Sequence, residues 1–467
     1  MIPATTFAGR RIAIFGMGRS GISTFRSLAA GGATVFAWDD GESSRSAAEA
    51  DGLALTDLSG IDWQTIDSLV LAPGVPLTHP QPHWTVNRAR EAGVEIIGDI
   101  EIFARERAAL APHAPFIAIT GTNGKSTTTA LIAHVLRASG RDVQMGGNIG
   151  VPILSLEPPA QSRFHVIEMS SYQIDLTPTL NPSVGILLNV SADHIDRHGT
   201  FENYAAIKAR LAECADTAVV SVDDATVAAI ARDLIANHQN AVPLSVQSKL
   251  VEGYYFEAGR IYNARDGGRG VVAYLEGLSN LRGIHNAQNV MATYAALDAV
   301  GVPAPELGDA LKSFPGLAHR LEEIGSRKGV VFVNDSKATN AESASVALAS
   351  FDRDIFWICG GRAKDGGVSS LSTYFPRISR AYLIGESEDD FAMQLDGHVD
   401  FARCGTLEIA VAAAARDAAA SRGSEPVVLL APACASFDQY VSFEKRGDHF
   451  RDIVTALPDI ELRGDSA

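Results

Sequence analysis

The 467-residue sequence predicts an α/β protein of three domains. The first and last are Rossmann-like, and the middle one combines a parallel sheet with a small antiparallel sheet. Three observations carry this. Short apolar, β-branched strands alternate with amphipathic helices along nearly the whole chain, the rhythm of parallel sheets flanked by helices. Two strand-to-helix turns, residues 16–21 and 121–126, are rich in glycine, which lets backbone N–H groups approach an anion. The polar side chains gather where predicted strands end, the ligand-binding edge of an open α/β sheet.

The first domain is read as residues 1–98. A strand at Arg11–Phe15 leads into Gly16-Met17-Gly18-Arg19-Ser20-Gly21, a helix to about residue 31, and a second strand at Thr34–Trp38 that ends in Asp39-Asp40. Strand, GxGxxG, helix, strand and acid form a dinucleotide-type unit. Glycines serving only close helix–strand packing are the plainer alternative. A strand at 68–72 runs into Pro73-Gly74-Val75-Pro76, and a strand at 94–97 precedes a helix from 99 to about 110. The proline-flanked stretch 111–115 reads as a linker.

The central domain, 99–316, turns on one motif. The apolar strand Phe116–Thr120 meets Gly121-Thr122-Asn123-Gly124, and Lys125 and Ser126 open a helix to about residue 140. A glycine turn at a helix N-terminus cradles phosphate; Lys125 neutralises β/γ-phosphate charge and the Ser126 hydroxyl holds Mg²⁺. The general Walker spacing wants a glycine where Ile119 stands, so the compact Gly-x-x-Gly-Lys-Ser form is the one that fits. This is a nucleotide-binding P-loop signature, against the plainer reading of a glycine-rich strand–helix turn with a surface lysine. Strands at 142–145, Phe164–Glu168 and 183–189 then end in Gly146-Gly147-Asn148-Ile149-Gly150, in Glu168-Met169-Ser170-Ser171-Tyr172, and in Asn189 followed by Asp193-His194-Ile195-Asp196-Arg197. A helix at 201–212 carries Lys208. Between 241 and 281, short alternating strands with glycine turns suggest a small antiparallel sheet, and a helix at 285–299 bears Asn286 and Asn289. Pro315-Gly316 closes the domain.

The third domain, 317–467, has strands at 330–334, 354–359, 381–384 and 426–430. The first is followed by Asp335-Ser336-Lys337-Ala338-Thr339-Asn340, read as a helix start. Clusters ending strands in all three domains imply one cleft between domains.

Composition narrows the function classes. A net charge of −16 argues against a nucleic-acid or anionic-membrane surface, while small anionic substrates need only a few local cations. The four cysteines lack zinc or disulfide spacing and read as free thiols. With no signal-peptide pattern and no apolar run near ~20 residues, the expected setting is the cytoplasm. Glu168 at a strand end is placed for a cation, and His194 in its polar cluster could share Mg²⁺ with it, against the plainer reading of both as surface side chains. Lys208 alone reads as an ordinary solvated lysine. Arg320, Lys337 and Lys364 supply local positive charge suited to phosphates and carboxylates. No Gly-x-Ser-x-Gly elbow occurs.

Seven motifs in order now bear on identity. They are 121–127, 146–150, 168–173, 193–197, His285-Asn286, 334–340 and Pro432-Ala433-Cys434-Ala435-Ser436-Phe437-Asp438-Gln439. Together they resemble the Mur ligases of peptidoglycan synthesis across essentially the whole chain, and the last two resemble the D-glutamate-adding branch. The resemblance implies ATP-dependent addition of D-glutamate to UDP-N-acetylmuramoyl-L-alanine through an acyl phosphate and a tetrahedral intermediate. It implies that 121–127 hold ATP and one Mg²⁺, and that Glu168, His194 and a carbamylated Lys208 serve two Mg²⁺ sites. Asn286 and Asn289 would face adenine, and Arg320, Asp335 and Lys337 would contact ATP. Lys125, Lys208, His194 and Lys337 would be the catalytic set. Asn148 would touch the muramoyl part, with Gly74 and Ser170 also on substrate; Thr339, Lys364, Ser436 and Phe443 would surround D-glutamate. Arg19, Ser20, Asp39 and Asp40 would take the uridine diphosphate, although Asp40-Gly41-Glu42 stand where relatives carry a Thr-Arg pair. The expected partners are small molecules, and the expected state is a monomer. The competing readings are a relative adding L-glutamate or another amino acid, and a folylpolyglutamate-synthase-like ligase. An NAD-dependent dehydrogenase would leave the Lys125 loop without a purpose, and a nucleotide-gated switch would leave the third-domain clusters unexplained.

Overall fold

The computed structural model describes residues 1–463 except 238–239, 266–269, 279–280, 282, 305–306, 364–365 and 424. The chain forms two compact units, Met1–Glu276 with Asn286–Phe314, and Gly277–His285 with Pro315–Ala467.

The first unit holds two sheets. β1 (Arg11–Phe15), β2 (Thr34–Trp38), β3 (Ser68–Leu71) and β4 (Glu95–Ile97) are parallel in the order β2-β1-β3-β4. The chain therefore switches direction across the sheet between β1 and β3, and a crevice opens at their carboxyl ends. The second sheet comprises β5 (Phe116–Thr120), β6 (Val143–Gly147), β7 (Phe164–Glu168), β8 (Val184–Leu187), β9 (Thr217–Ser221), β10 (Ala241–Ser245), β11 (Tyr254–Glu257), β12 (Arg260–Asn263) and β13 (Gly270–Tyr274). Its order is β13-β12-β11-β10-β9-β8-β5-β7-β6. β5, β7, β8 and β9 are buried along their whole length, as the unbroken apolar runs of a doubly covered parallel sheet require.

The expected separate antiparallel sheet is not separate. β11, β12 and β13 are antiparallel to one another but continue the central sheet, because β10 pairs in parallel with β11 through Leu244–Tyr254 and Ser245–Tyr255. Gly253 makes this approach possible: at φ +110° a Cβ there would lie 2.2 Å from the Pro243 carbonyl oxygen.

The helix Asp99–Leu110 ties the two sheets of this unit. Its buried Glu106 accepts from Thr5 Oγ1 at 2.8 Å and from Thr6 N at 2.6 Å, and its buried Glu101 accepts from Thr179 N at 2.9 Å. Both acids are thereby satisfied, Glu106 by hydrogen bonds reaching across the residue 98 boundary and Glu101 by one within 99–316, which is what permits their burial.

The second unit has one sheet of β14 (Glu322–Arg327), β15 (Val330–Asn334), β16 (Ile355–Gly360), β17 (Ile378–Ile384), β18 (Phe401–Gly405), β19 (Val427–Leu430) and β20 (Glu461–Leu462). Its order is β18-β17-β16-β19-β15-β14-β20, parallel from β18 to β15, with β14 antiparallel to both neighbours. β14 is polar in sequence, Glu-Glu-Ile-Gly-Ser-Arg, so alternation does not announce it. Central β16 and β19 are fully buried, each large aliphatic side chain contributing roughly 1.5–3 kcal/mol. Trp357 is buried there with its indole N–H donating to Ala431 O at 2.8 Å. The helix after β15 begins at Ala341, not Asp335: Asn340 is its cap, accepting from Ser343 N at 2.8 Å, and 335–339 are loop. Among the described residues, no helix is long and apolar enough to cross a membrane.

Candidate active site

β5 delivers the chain into the glycine turn at the carboxyl edge of the central sheet. At Gly124 φ is +84°, and a Cβ would lie 2.6 Å from Asn289 Oδ1, so glycine is required on two counts. The turn is held by Asn189 at the end of β8. Its Oδ1 accepts from Thr122 N at 3.1 Å and Asn123 N at 2.8 Å, and its Nδ2 donates to Asn123 O at 3.1 Å. Lys125 Nζ folds back onto the turn, donating to Gly121 O at 2.9 Å and Thr122 O at 2.8 Å. Ser126 is buried on the first turn of the helix Lys125–Ala138, with Thr127 beside it. Behind them Asn289 Oδ1 accepts from Thr128 Oγ1 at 3.1 Å, and Asn289 Nδ2 donates to Asn286 Oδ1 at 2.9 Å. Asn286 and Asn289 are thus buried against the back of the loop.

Lys208, on the helix Phe201–Glu213, is not the solvated lysine its position alone suggests. Only 2% of it is exposed, and its Nζ donates to Gly121 O at 2.9 Å and Thr120 Oγ1 at 3.2 Å. Two lysines therefore share the Gly121 carbonyl. Burial, then the nearby Lys125 charge, hold the Lys208 amine well below the ordinary lysine range, against the opposing pull of Asp193 and Glu168. Glu168 is buried at the end of β7. Its Oε1 accepts from Asn148 Nδ2 at 2.8 Å, while the buried Oε2 has no hydrogen-bond partner. A buried carboxylate oxygen left open beside a phosphate loop fits a hard divalent cation. His194 is 52% exposed in its side chain and lies at φ +53°, its ring 5.3 Å from Tyr172. Among the described residues, no three His, Cys, Asp or Glu side chains converge as a metal-binding group.

Around the first sheet, Arg19 NH2 donates to Gly150 O at 2.6 Å, and Arg197 NH1 to Gly74 O at 3.0 Å. The two glycine-rich edges of this unit are therefore adjacent. Ser20 lines a small cavity with Pro73 and the buried Asp99. Asp39 accepts from Met17 N and Gly41 N, and Asp40 lies against His83 and Trp84. Ser170 forms a capping box with Gln173.

In the second unit, Asp335 is buried and its carboxyl is pushed up to about 7 by that burial, against the lowering effects of Leu321 N and Arg320. Lys337 Nζ sits 4.1 Å from the Phe443 ring centroid, a cation–π contact. Thr339 N donates to Lys337 O at 2.7 Å, and Ser436 is buried after β19. The buried Arg446 joins these loops, donating to Ser336 Oγ, Ser336 O and Cys434 O at 3.0, 2.9 and 3.0 Å. Lys364 lies outside the described residues.

Comparison with known proteins decides the family. Residues 119–297 match the model of the Mur ligase middle domain, and residues 319–434 match that of the Mur ligase, glutamate ligase domain. The chain belongs to the Mur ligase family. It is 55% identical over 467 residues, the whole of both chains, to the UDP-N-acetylmuramoylalanine--D-glutamate ligase of Brucella suis biovar 1 (strain 1330). It is 54% identical over 462 residues to the protein of the same name in Rhizobium meliloti (strain 1021), covering 99% of this chain and 100% of that one. Solved structures share the fold. The MurF ligase of Thermotoga maritima, in complex with ADP, superposes with a TM-score of 0.58 at 15% identity over 97% of both chains. A pseudomurein peptide ligase type C from Methanothermus fervidus does so with 0.57 at 18% identity, over 96% of this chain and 99% of that one. In this Mur ligase the phosphate loop, Glu168, His194 and Lys208 fall inside the first matched region, and Arg320, Asp335, Lys337 and Thr339 inside the second.

Reading the sequence by residue type missed Asn189 and Arg446. Asn189 had a signal, a polar residue ending an apolar strand beside the phosphate strand. Arg446 had none, because nothing in Phe-Glu-Lys-Arg on an amphipathic helix marks the arginine as buried.

Proposed function

We propose that this Mur ligase uses ATP to join D-glutamate to UDP-N-acetylmuramoyl-L-alanine, making a cytoplasmic precursor of peptidoglycan. Full-length identity of 55% to relatives bearing that enzyme's name carries the reading. Buried Lys208 and buried Glu168, both beside the phosphate loop, support it on chemical grounds. We assign the UDP substrate to 1–98, ATP to 99–316 and the amino acid to 317–467, in a monomer.

The substrate carboxylate attacks the γ-phosphorus, ADP leaves, and an acyl phosphate forms. The glutamate amine then attacks the acyl carbon, and the tetrahedral intermediate collapses with loss of phosphate. Both steps bring anions together, so they need fixed positive charge and alignment. Backbone N–H groups of 121–127 receive the phosphates, and Lys125 exchanges its two loop carbonyls for phosphate oxygens. Burial lowers the Lys208 pKa, which favours capture of CO₂: the deprotonated amine's lone pair bonds to carbon, a proton leaves the nitrogen, and a carbamate anion results. Ser126, Glu168 Oε2, His194 and that carbamate would hold two Mg²⁺, which when bound neutralise charge on phosphate oxygens. Asn148 fixes Glu168 from outside and stands where it can meet the muramoyl part. Asn286 and Asn289 take the adenine side of the loop. In the second unit, Arg320, Asp335 and Lys337 serve ATP, and Thr339, Lys364, Ser436 and Phe443 serve glutamate.

The test supplies ATP, Mg²⁺ and UDP-N-acetylmuramoyl-L-alanine, then amino acids one at a time, and measures phosphate release. D-glutamate should raise it well above every other acceptor. A response to L-glutamate or to no acceptor that equals the D-glutamate response would overturn the assignment.

A further inference from the structure

The helix Ile195–His198 is a single turn, and His194 is its N-cap. One turn cannot hold itself, because fixing its dihedrals outweighs the hydrogen bonds it forms. His194 also sits at φ +53°, where a non-glycine residue needs support from its surroundings. Neighbouring side chains give that support. His198 is buried with Nε2 2.9 Å from Ser171 Oγ, and its carbonyl accepts from Asn203 Nδ2 at 2.9 Å. Arg197 reaches furthest. Its NH1 donates at 3.0 Å to Gly74 O, in the turn after β3, so it joins the end of the first sheet to the segment that carries His194. Its guanidinium lies over Tyr172, 4.7 Å from the ring centroid. The same ring is stacked with His198 at 5.2 Å and tilted against His194 at 5.3 Å. From His198 the contacts continue to Tyr204, at 5.4 Å, and from the Tyr204 centroid to Lys208 Nζ, at 4.9 Å. Arg197 Nε is buried without a hydrogen-bond partner. The guanidinium thus forgoes one hydrogen bond while keeping its plane on Tyr172 and NH1 on Gly74, which a role in stability alone does not explain.

We propose that Arg197 is a positioning residue that fixes the distance between the substrate-binding end of the first sheet and the side of the phosphate loop lined by His194 and Lys208. The assignment rests on the ligase reading above. In that reaction the first sheet grips the substrate by its nucleotide, while the carboxylate at the other end must meet the γ-phosphorus at the phosphate loop. Two anchors on two sheets therefore set the approach, and an error of about 1 Å between them costs about a hundredfold in rate. Arg197 spans the two, from Gly74 to the Tyr172, His194 and His198 rings. Its planar fork suits the task. One flat group stacks on a ring and aims an N–H at a carbonyl, and a lysine cannot do both with one rigid plane.

Glutamate-dependent phosphate release and calorimetric titration of the full chain test this together. Arg197→Ala should lower kcat about a hundredfold. Its affinity for UDP-N-acetylmuramoyl-L-alanine without ATP should stay within about threefold of native, since each anchor is intact and only their spacing is lost. Arg197→Lys, which keeps the charge and one donor without the plane, should lower kcat about tenfold. ADP, bound at the phosphate loop, reports the integrity of each variant; should Arg197→Ala lose ADP binding, Arg197→Lys decides by the same readings. Native kcat in the deciding variant overturns the proposal while leaving the ligase reading intact. So does a fall in substrate affinity that matches the fall in turnover, which would make Arg197 a direct contact of the substrate. Absence of glutamate-dependent phosphate release in the native chain overturns the ligase reading instead.

Discussion

Each unit of this Mur ligase buries one cation beside a motif loop, and the two behave differently. Lys208 in the first unit and Arg446 in the second are 2% and 1% exposed, and each donates to main-chain carbonyls. Burial depresses both: the Lys208 amine falls well below the lysine range, and the Arg446 guanidinium to about 10. An amine can shed its proton and become a nucleophile at neutral pH. A guanidinium held at about 10 stays charged, and its planar fork grips several acceptors at once. Burying a lysine makes a reactive group; burying an arginine makes a clamp.

The largest effect should come from testing that distinction at Lys208. Lys208→Ala should lower glutamate-dependent phosphate release about a thousandfold or more, roughly 4 kcal/mol in the barrier. Lys208→Arg should be no better, since it restores charge but cannot carry a carbamate. Short carboxylic acids added to Lys208→Ala should recover part of the activity by standing where the proposed carbamate would lie. Activity near native in Lys208→Arg would show that positive charge, not the modified amine, is what the site needs.

Arg446 should break in stability first. Removing it strands Ser336 O and Cys434 O in a buried site, so Arg446→Ala should lower the denaturation free energy of the second unit by roughly 3–5 kcal/mol. Arg446→Lys, with one nitrogen for three acceptors, should recover less than half. Equal denaturation midpoints for Arg446→Lys and the native chain would mean that charge alone holds these loops and that the fork is incidental.

The same contrast explains what the sequence made legible. The strands of the parallel sheets were readable because continuous burial leaves continuous apolar runs, as at Phe116–Thr120 and Phe164–Glu168. The turn before Lys125 was readable because its backbone demands glycine at Gly124. β14 was not, because a strand held between two neighbours by main-chain bonds needs no apolar pattern. The continuation of the central sheet into β11 was hidden too, since pairing partners are chosen by open edges and close approach at Gly253. Lys208 and Arg446 were invisible by residue type alone. Their burial is a property of packed neighbours distant in the chain, Gly121 for one and Ser336 for the other.

The smallest effect concerns a buried group that sheds charge without reacting. Asp99 is 4% exposed and its carboxyl is raised to about 6, chiefly by burial, with Ile100 N opposing. The folded chain therefore holds this proton between pH 3.8 and about 6, where the unfolded chain has released it. Stability must then fall as pH rises through that window, by at most about 3 kcal/mol from this group. Asp99→Asn removes the titration and keeps the shape. Its denaturation free energy should gain on the native chain steadily from pH 4 to pH 6 and run parallel above. A constant difference across that range would mean that Asp99 keeps its charge when buried, as Arg446 does, and would move it from the yielding class to the clamping one.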